Sequence, residues 1–316
     1  MMKKVAISIG DLNGIGIQLA LENHTTLSRE IHPFYCIDKT MLYQAAKKLN
    51  LTIPYDFQTI ENIAPSFEIE AGAVNKESGA YAYASFVEAV ALARTKKVHA
   101  VCTLPIHKKA WEKAGVAYKG HTDALRDFFD GGAIMMLGCK KMYVALFTEH
   151  IPLKEVASRI NEKALTRFLV DFYHTAIPTS TVGVLGLNPH AGDDGVLGEE
   201  ETVIQKAIDN ATEIIKENNP SLFTLHSSLF THPLVPDVAF TPNVRKNYTH
   251  YIAMYHDQGL APLKALYFDE GINVSLNLPI LRTSVDHGTA FDIAYKGAKL
   301  NNLSYINAIR YITANA

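Results

Sequence analysis

The chain has 316 residues, of which 48% are hydrophobic and 20% are charged, and its formal net charge at pH 7 is -2. A chain of this length and apolar content can bury a substantial core and is long enough for two domains. The near-neutral charge, without a long lysine–arginine cluster, argues against a surface that binds nucleic acid.

Strand-like apolar runs alternate with helical patterns through most of the sequence. Strands are predicted over residues 4–9, 34–37, 99–103, 143–147, 181–187 and 251–254. Helices are predicted over residues 41–49, 78–95, 122–129, 162–174 and 199–217, and another begins near residue 16. Such alternation is typical of βαβ units in a largely parallel sheet with helices on both faces, so the predicted class is α/β. Thr122 is the predicted cap of its helix.

Neither a leader nor a membrane anchor is expected. The first apolar run is interrupted at Gly10-Asp11, too early for the core of a signal peptide, and no later run reaches the length of a bilayer. The cysteines Cys36, Cys102 and Cys139 are scattered and lie in or beside apolar runs. We therefore expect buried, reduced thiols in a cytoplasmic protein.

Three histidines each follow a strand-like run, at His150, His190 and His256. The ends of strands in α/β sheets are where ligands bind, and neutral imidazole is the commonest protein ligand of divalent transition metals. Three imidazoles with an open position would leave room for a substrate oxygen. Their spacing matches no metal motif, so ordinary loop histidines remain the alternative.

Several cationic or amide side chains suggest an anion-binding site, with solvated surface charges as the alternative. Two glycine-rich loops each lead into a helix, and the first is equally well explained as a plain tight turn. The turn from Gly10 to Gly16 follows a strand and enters a helix, but its spacing is neither the dinucleotide fingerprint nor a Walker loop. The loop from Asn188 to Gly198 contains an acidic pair that would repel phosphate, which favours a metal or substrate lining. The residues suited to a phosphorylated acid are His121, Thr122, Lys264, Asn273 and Arg282.

Taken together, these segments resemble the 4-hydroxythreonine-4-phosphate dehydrogenase family of vitamin B6 biosynthesis. Matches extend in order from the first glycine turn to the last helix. The most specific strings are Tyr255-His256-Asp257-Gln258-Gly259-Leu260, Asn188-Pro189-His190-Ala191-Gly192 and Arg282-Thr283-Ser284-Val285-Asp286-His287-Gly288-Thr289.

The resemblance implies a two-lobed α/β/α fold similar to isocitrate and isopropylmalate dehydrogenases, and not a Rossmann fold. The first lobe is expected over residues 1–121 plus 279–316 and the second over 122–278. It also implies a homodimer with its site in the interlobe cleft and with metal ligands drawn from both chains.

The resemblance further assigns roles to single residues. His150, His190 and His256 match the metal ligands, and the matches to the substrate contacts are His121, Thr122, Lys264, Asn273 and Arg282. One divalent ion per site (zinc, magnesium or cobalt) and NAD or NADP are implied, although no cofactor-binding residue can be located without the fingerprint.

The implied reaction is oxidation of the secondary hydroxyl of 4-phosphohydroxy-L-threonine, followed by loss of carbon dioxide. The metal would lower the pKa of that hydroxyl, and either Asp257, Lys264 or water would take the proton. One alternative is a dehydrogenase of another phosphorylated four-carbon acid, threonate or erythronate 4-phosphate. A second alternative, from another class, is a metal-dependent phosphoester hydrolase.

Overall fold

The computed structural model describes residues 2–218 and 228–316, and the chain divides into two compact units. The first unit runs to Ala133 and resumes at Asp269, and the second unit is Ile134–Phe268. The strands are β1 (Lys3–Ser8), β2 (Ile31–Cys36), β3 (Ala100–Thr103), β4 (Ile134–Cys139), β5 (Met142–Leu146), β6 (Gly183–Val184), β7 (His250–Ala253), β8 (Ile272–Leu276) and β9 (Leu281–Val285).

The helices range from single turns to five turns. They are α1 (Gly16–Leu27), α2 (Lys39–Leu49), α3 (Lys76–Arg94), α4 (Lys108–Lys113), α5 (His121–Phe128), α6 (Val156–Arg159), α7 (Glu162–Ala176), α8 (Glu200–Asn218), α9 (Pro236–Ala239), α10 (Pro242–Arg245), α11 (His256–Tyr267) and α12 (Leu303–Asn315). Two short 3-10 segments, Leu153–Glu155 and Pro189–Gly195, lie in the second unit.

In the first unit the strand order is β2-β1-β3-β9-β8. The neighbours from β2 to β9 are parallel, and only β8 runs antiparallel to β9. Every residue of β3 is buried, as expected for a parallel strand covered on both faces. The core of this unit includes Phe86 and Trp111, both fully buried.

In the second unit the order is β4-β5-β7-β6. Strands β4 and β5 form an antiparallel pair, whereas β7 is parallel to both β5 and β6. The predicted α/β class with a largely parallel sheet is therefore confirmed. Because β5 and β7 are parallel, with Leu146 opposite Ala253, the residues that follow them emerge at the same edge.

Two local predictions were wrong. Thr122 is not a helix cap, because α5 begins one residue earlier, after Gly120. The strand predicted over 181–187 is reduced to Gly183–Val184, flanked by isolated bridges. His256 follows strand β7, as predicted, and opens the first turn of α11. Gln258 anchors this turn by accepting from the Met254 amide and donating to the Gly186 carbonyl.

Other expectations agree with the structure. All three cysteines are buried free thiols, and burial raises the pKa of Cys36 and Cys102. No helix within the described ranges is both long and apolar enough to cross a bilayer.

Candidate functional site

Two of the three predicted metal ligands are neighbours in the second unit. The ring centroids of His150 and His256 are 5.5 Å apart. They meet because the loop after β5 is tied to the end of β7: the Thr148 hydroxyl donates to the Met254 carbonyl at 2.6 Å. Both rings are accessible, with the side chain of His150 63% and that of His256 37% exposed.

Asp257 determines which nitrogen of His256 is available. Its Oδ1 lies 2.7 Å from His256 Nδ1. A carboxylate there accepts a hydrogen bond from Nδ1–H, so the proton is held on Nδ1 and the Nε2 lone pair is left for a cation. This contact is the orienting interaction that metal-binding histidines usually have.

His190 lies on a loop with an unusual backbone. Five consecutive residues, His190 to Asp194, have φ between 46° and 81°. Each non-glycine residue in this left-handed region costs roughly 1–2 kcal/mol. The structure does not bring His190 to the other two: among residues 2–218 and 228–316, no three histidine, cysteine or acidic side chains are grouped as metal ligands.

Glu201 holds the start of this loop. Its Oε1 accepts from the amides of Leu187 at 2.8 Å and Asn188 at 2.7 Å, and its Oε2 accepts from Asn188 Nδ2 at 2.9 Å. A Cβ on Gly192 would come within 2.6 Å of the same carboxylate, so the loop needs glycine there. The Asn188 side chain also donates to Glu200 and thereby lowers the pKa of that carboxyl.

The donor set fits a transition metal in part. Imidazole nitrogen suits zinc or cobalt, whereas magnesium prefers oxygen ligands. Two adjacent rings, one of them oriented by a carboxylate, can serve as two ligands of one cation. A third ligand has to come from outside this pair.

The first unit contains a buried cation. Arg282 on β9 is 2% exposed, and it donates to Thr103 Oγ1 at 2.6 Å and to Ser275 Oγ at 3.2 Å, while its Nε has no partner in the part of the chain that the structure describes. Burial lowers the pKa of the guanidinium to about 10. No carboxylate in the described chain pairs with it, and a buried charge without a counter-ion is costly. Such a group is suited to an oxyanion ligand.

His121 and Thr122, on the first turn of α5, are each 8% exposed. Burial, together with the charge of Arg282, holds the pKa of His121 well below 6.5, so the ring is neutral at pH 7. Its Nε2 is buried without a hydrogen-bond partner among the described residues, as is Oδ1 of Asn273 on β8. Buried polar atoms are normally paired, so unsatisfied ones in two elements indicate a place for a polar ligand.

Lys264 lies on α11 in the second unit, seven residues after Asp257. Two helical turns separate them, which puts both on one face about 10 Å apart along the axis. The Lys264 ammonium is 6.0 Å from the centroid of the Phe268 ring.

Several residues of the site were missed by the sequence analysis. Thr103 and Ser275 hold Arg282 through strand register, and Glu201 holds the His190 loop through its side chain. The run of acidic residues at the start of α8 is the feature of the sequence that could have drawn attention to Glu201. Trp111 also escaped, because α4 is too short to show periodicity.

The comparisons with known proteins agree on one family. The family model described as pyridoxal phosphate biosynthetic protein PdxA matches residues 29–312. A 4-hydroxythreonine-4-phosphate dehydrogenase of Sulfurimonas denitrificans is 56% identical, and the match covers 97% of this chain and 96% of the relative. The enzyme of the same name from Campylobacter fetus is 50% identical, covering 98% and 97%.

Solved structures give the same result. The crystal structure of 4-hydroxythreonine-4-phosphate dehydrogenase from Klebsiella pneumoniae is similar with a TM-score of 0.81 at 28% identity, covering 100% of this chain and 99% of the other. A terephthalate 1,2-cis-dihydrodiol dehydrogenase from Burkholderia xenovorans shares the fold with a TM-score of 0.69 at 22% identity, covering 99% and 98%. By sequence and by fold, this chain belongs to the PdxA family of pyridoxal phosphate biosynthetic proteins.

Proposed function

We propose that this chain is an NAD(P)-dependent dehydrogenase that oxidises 4-phosphohydroxy-L-threonine to 2-amino-3-oxo-4-phosphohydroxybutanoate. The product is a β-keto acid and decarboxylates to 3-amino-2-oxopropyl phosphate, on the route to pyridoxal 5'-phosphate. The observation that carries the proposal is the 56% identity, over 97% of the chain, to a relative named for this enzyme. The expected location is the cytoplasm, in keeping with three buried free thiols.

The first unit supplies the groups that hold the anionic ends of the substrate. Arg282 offers a buried guanidinium already oriented by Thr103 and Ser275, so little side-chain freedom is lost on binding. His121 offers a neutral ring nitrogen, and Thr122 a hydroxyl. Asn273 Oδ1, which has no partner among the described residues, can only accept a hydrogen bond, and it therefore suits the substrate amino group better than the phosphate.

The second unit supplies the imidazoles that would hold the divalent ion, His150, His190 and His256. When bound, the cation provides a Lewis acid that favours ionisation of the substrate hydroxyl, and NAD or NADP provides the hydride acceptor. Asp257 keeps His256 in the tautomer that leaves Nε2 available. Since this carboxylate is occupied by the imidazole, we assign the removal of the hydroxyl proton to Lys264.

The proposed assembly is a homodimer in which His190 completes the metal site of the partner. A single chain that brings together His150 and His256 but not His190 is what such sharing requires. Exposed apolar side chains close in sequence to His150 and His190 also support a covered surface: Leu153 is 69%, Val196 78% and Leu197 45% exposed.

A mixing experiment tests the sharing of ligands. His190→Ala and His256→Ala homodimers should both be inactive. After unfolding and refolding together, each mixed dimer would contain one intact site, and about one quarter of the wild-type activity should return. If all three ligands act within one chain, mixing restores nothing and the shared site is wrong.

The activity is tested by the absorbance of reduced nicotinamide. Purified protein with a divalent metal is given each of three substrates: 4-phosphohydroxy-L-threonine, threonate 4-phosphate and erythronate 4-phosphate. The proposal expects the highest turnover with the first. Faster oxidation of either other acid would overturn the substrate assignment, and phosphate release without reduction of NAD or NADP would indicate a hydrolase.

A further inference from the structure

Two aromatic side chains surround the imidazole of His121. Its ring centroid is 4.8 Å from that of Phe86 on α3 and 5.4 Å from that of Trp111 on α4, both in edge-to-face geometry. Phe86 and Trp111 have no exposed surface, and their ring centroids are 6.0 Å apart. Edge-to-face rings attract each other and are rigid, so the imidazole has little freedom to rotate.

Gly79 makes this arrangement possible. A Cβ at this position of α3 would lie 2.0 Å from the Ala110 carbonyl oxygen and 2.9 Å from the Trp111 amide nitrogen. Any side chain larger than hydrogen would push α4 away from α3. The close approach of the two helices is therefore what places the indole against His121.

The polar atoms around this cluster lack partners within the described chain. His121 Nε2, Trp111 Nε1 and Arg282 Nε are all buried and unsatisfied. The aromatic rings give His121 van der Waals contact but no hydrogen bond, and so leave its Nε2 for a ligand.

We propose that Trp111 is a positioning residue for the oxyanion site, which together with Phe86 holds the imidazole of His121 in one orientation and keeps water from it. The inference rests on the proposed function only in taking the ligand of His121 to be the phosphate or carboxylate of a substrate. Trp111 acts through His121, and the small residue at Gly79 is needed for the same purpose.

The charge state of His121 follows from this packing. Burial by the aromatic rings, assisted by the Arg282 charge, holds the pKa of the imidazole well below its usual value. The other charged groups nearby are Lys108 on α4, whose Cε is 3.9 Å from a Cβ placed on Gly120, and Asp123 and Arg126 on α5. A neutral donor gives an affinity for oxyanions that does not change with pH, unlike a titrating histidine.

Sulfate is the probe, because its charge is constant over the range in which histidine titrates. The full chain is titrated calorimetrically with sulfate between about pH 5.5 and about pH 8. Wild type should bind sulfate with an affinity independent of pH. Trp111→Leu should bind about tenfold more weakly at the upper end, the loss of one oriented hydrogen bond to a charged group. Its affinity should then rise as pH falls, because the hydrated imidazole takes up a proton.

Two variants serve as controls. Trp111→Phe keeps an edge-to-face ring and should retain most of the wild-type affinity and its independence of pH. Phe128→Leu removes an aromatic ring whose centroid is 5.9 Å from that of Phe86. Among the described residues Phe128 has no ring contact with His121, so this substitution should change the stability of the protein but not its sulfate affinity. A Trp111→Leu protein with wild-type affinity at every pH would overturn the proposal.

A measurement on wild type keeps the inference testable if Trp111→Leu does not fold. Nitrogen-15 NMR of the histidine rings should show His121 as one neutral tautomer throughout the titration. A His121 ring that protonates near its usual pKa would contradict the proposal. Neither experiment uses substrate or cofactor. A protein inactive as a dehydrogenase could therefore still show the expected sulfate binding and His121 tautomer, and an active dehydrogenase could still lack them.

Discussion

The two units present their functional groups in opposite ways. In the first unit, Arg282 and His121 are buried and are held by neighbouring strands and rings. In the second unit, His150 and His256 are accessible and His190 lies on a loop of left-handed residues apart from them. The proposed oxyanion group thus lies within one chain, whereas the proposed metal site would need a ligand beyond His150 and His256. In the first unit, a buried charge that has no counter-ion in the described chain lowers the stability of the fold. In the second unit, the proposed metal site would be completed only when two chains assemble.

The largest effect on activity should come from a substitution that removes an imidazole of the second unit and leaves the oxyanion group of the first unit intact. His256→Gln removes one of the paired imidazoles, and we expect it to abolish bound metal and lower kcat/KM about a thousandfold, equivalent to about 4 kcal/mol of transition-state stabilisation. Metal content and steady-state rates measure both. Sulfate affinity should not change, and a parallel loss of sulfate binding would mean that the two groups are not independent.

Arg282→Met tests the cost of preorganisation in the first unit. Sulfate affinity should fall about a hundredfold because the only identified cation of the group is removed. The free energy of unfolding without ligand should rise by about 2 kcal/mol, since a buried charge without a carboxylate is replaced by an apolar side chain of similar length. Urea unfolding measures the second effect. A less stable Arg282→Met protein would show that the guanidinium contributes to the fold itself.

Acid should weaken the second unit through a histidine outside the site. Burial lowers the pKa of His250 from 6.5 to about 4. The unfolded chain therefore takes up this proton first, so stability is complete above pH 6.5 and falls as pH approaches 4. After allowance for partial exposure, the loss should be about 2 kcal/mol. Urea unfolding of wild type and of His250→Gln across this pH range isolates the contribution of His250. Equal slopes of the free energy of unfolding against pH would show that His250 is not the cause of the loss.

The smallest effect concerns backbone strain near His190. Ala191→Gly should raise the free energy of unfolding by about 1 kcal/mol, because glycine adopts positive φ without steric cost. Ile177, the left-handed residue that ends α7 with φ of 46°, provides a matched control in the same unit, and Ile177→Gly should stabilise by a similar amount. Stabilisation by Ile177→Gly alone would mean that the loop of the free chain does not retain the left-handed run.

The sequence allowed prediction of those features that depend on local pattern. Apolar runs over residues 143–147 and 251–254 revealed two strands, and their parallel pairing explains why His150 and His256 meet. The partners of Arg282 were not predictable, because Ser275 is opposite Arg282 only through the register of β8 with β9, and Thr103 approaches from β3. Register depends on tertiary packing that no single segment contains.

Helix boundaries and short elements could not be predicted from the hydrophobic pattern of the sequence either. Thr122 has the chemistry of a cap, but Asp123 instead accepts from the Lys119 amide at 2.9 Å, upstream of the helix. Helix α4 has six residues, fewer than two turns, so Trp111 carried no periodic signal. Asn273 and Arg282 were predicted as possible contacts of a phosphorylated acid, but their burial was not, since a lone amide or cation in a sequence does not reveal it.

The unmatched guanidinium of Arg282 has a practical consequence for handling the protein. The oxyanion site proposed at Arg282 would not distinguish strictly between a substrate and a buffer anion, so phosphate or ammonium sulfate used in purification would occupy it. Protein prepared in this way would melt at a higher temperature and yet turn over more slowly, by simple competition. Melting temperatures and Michaelis constants from different laboratories would then disagree unless the anions in the buffer were the same.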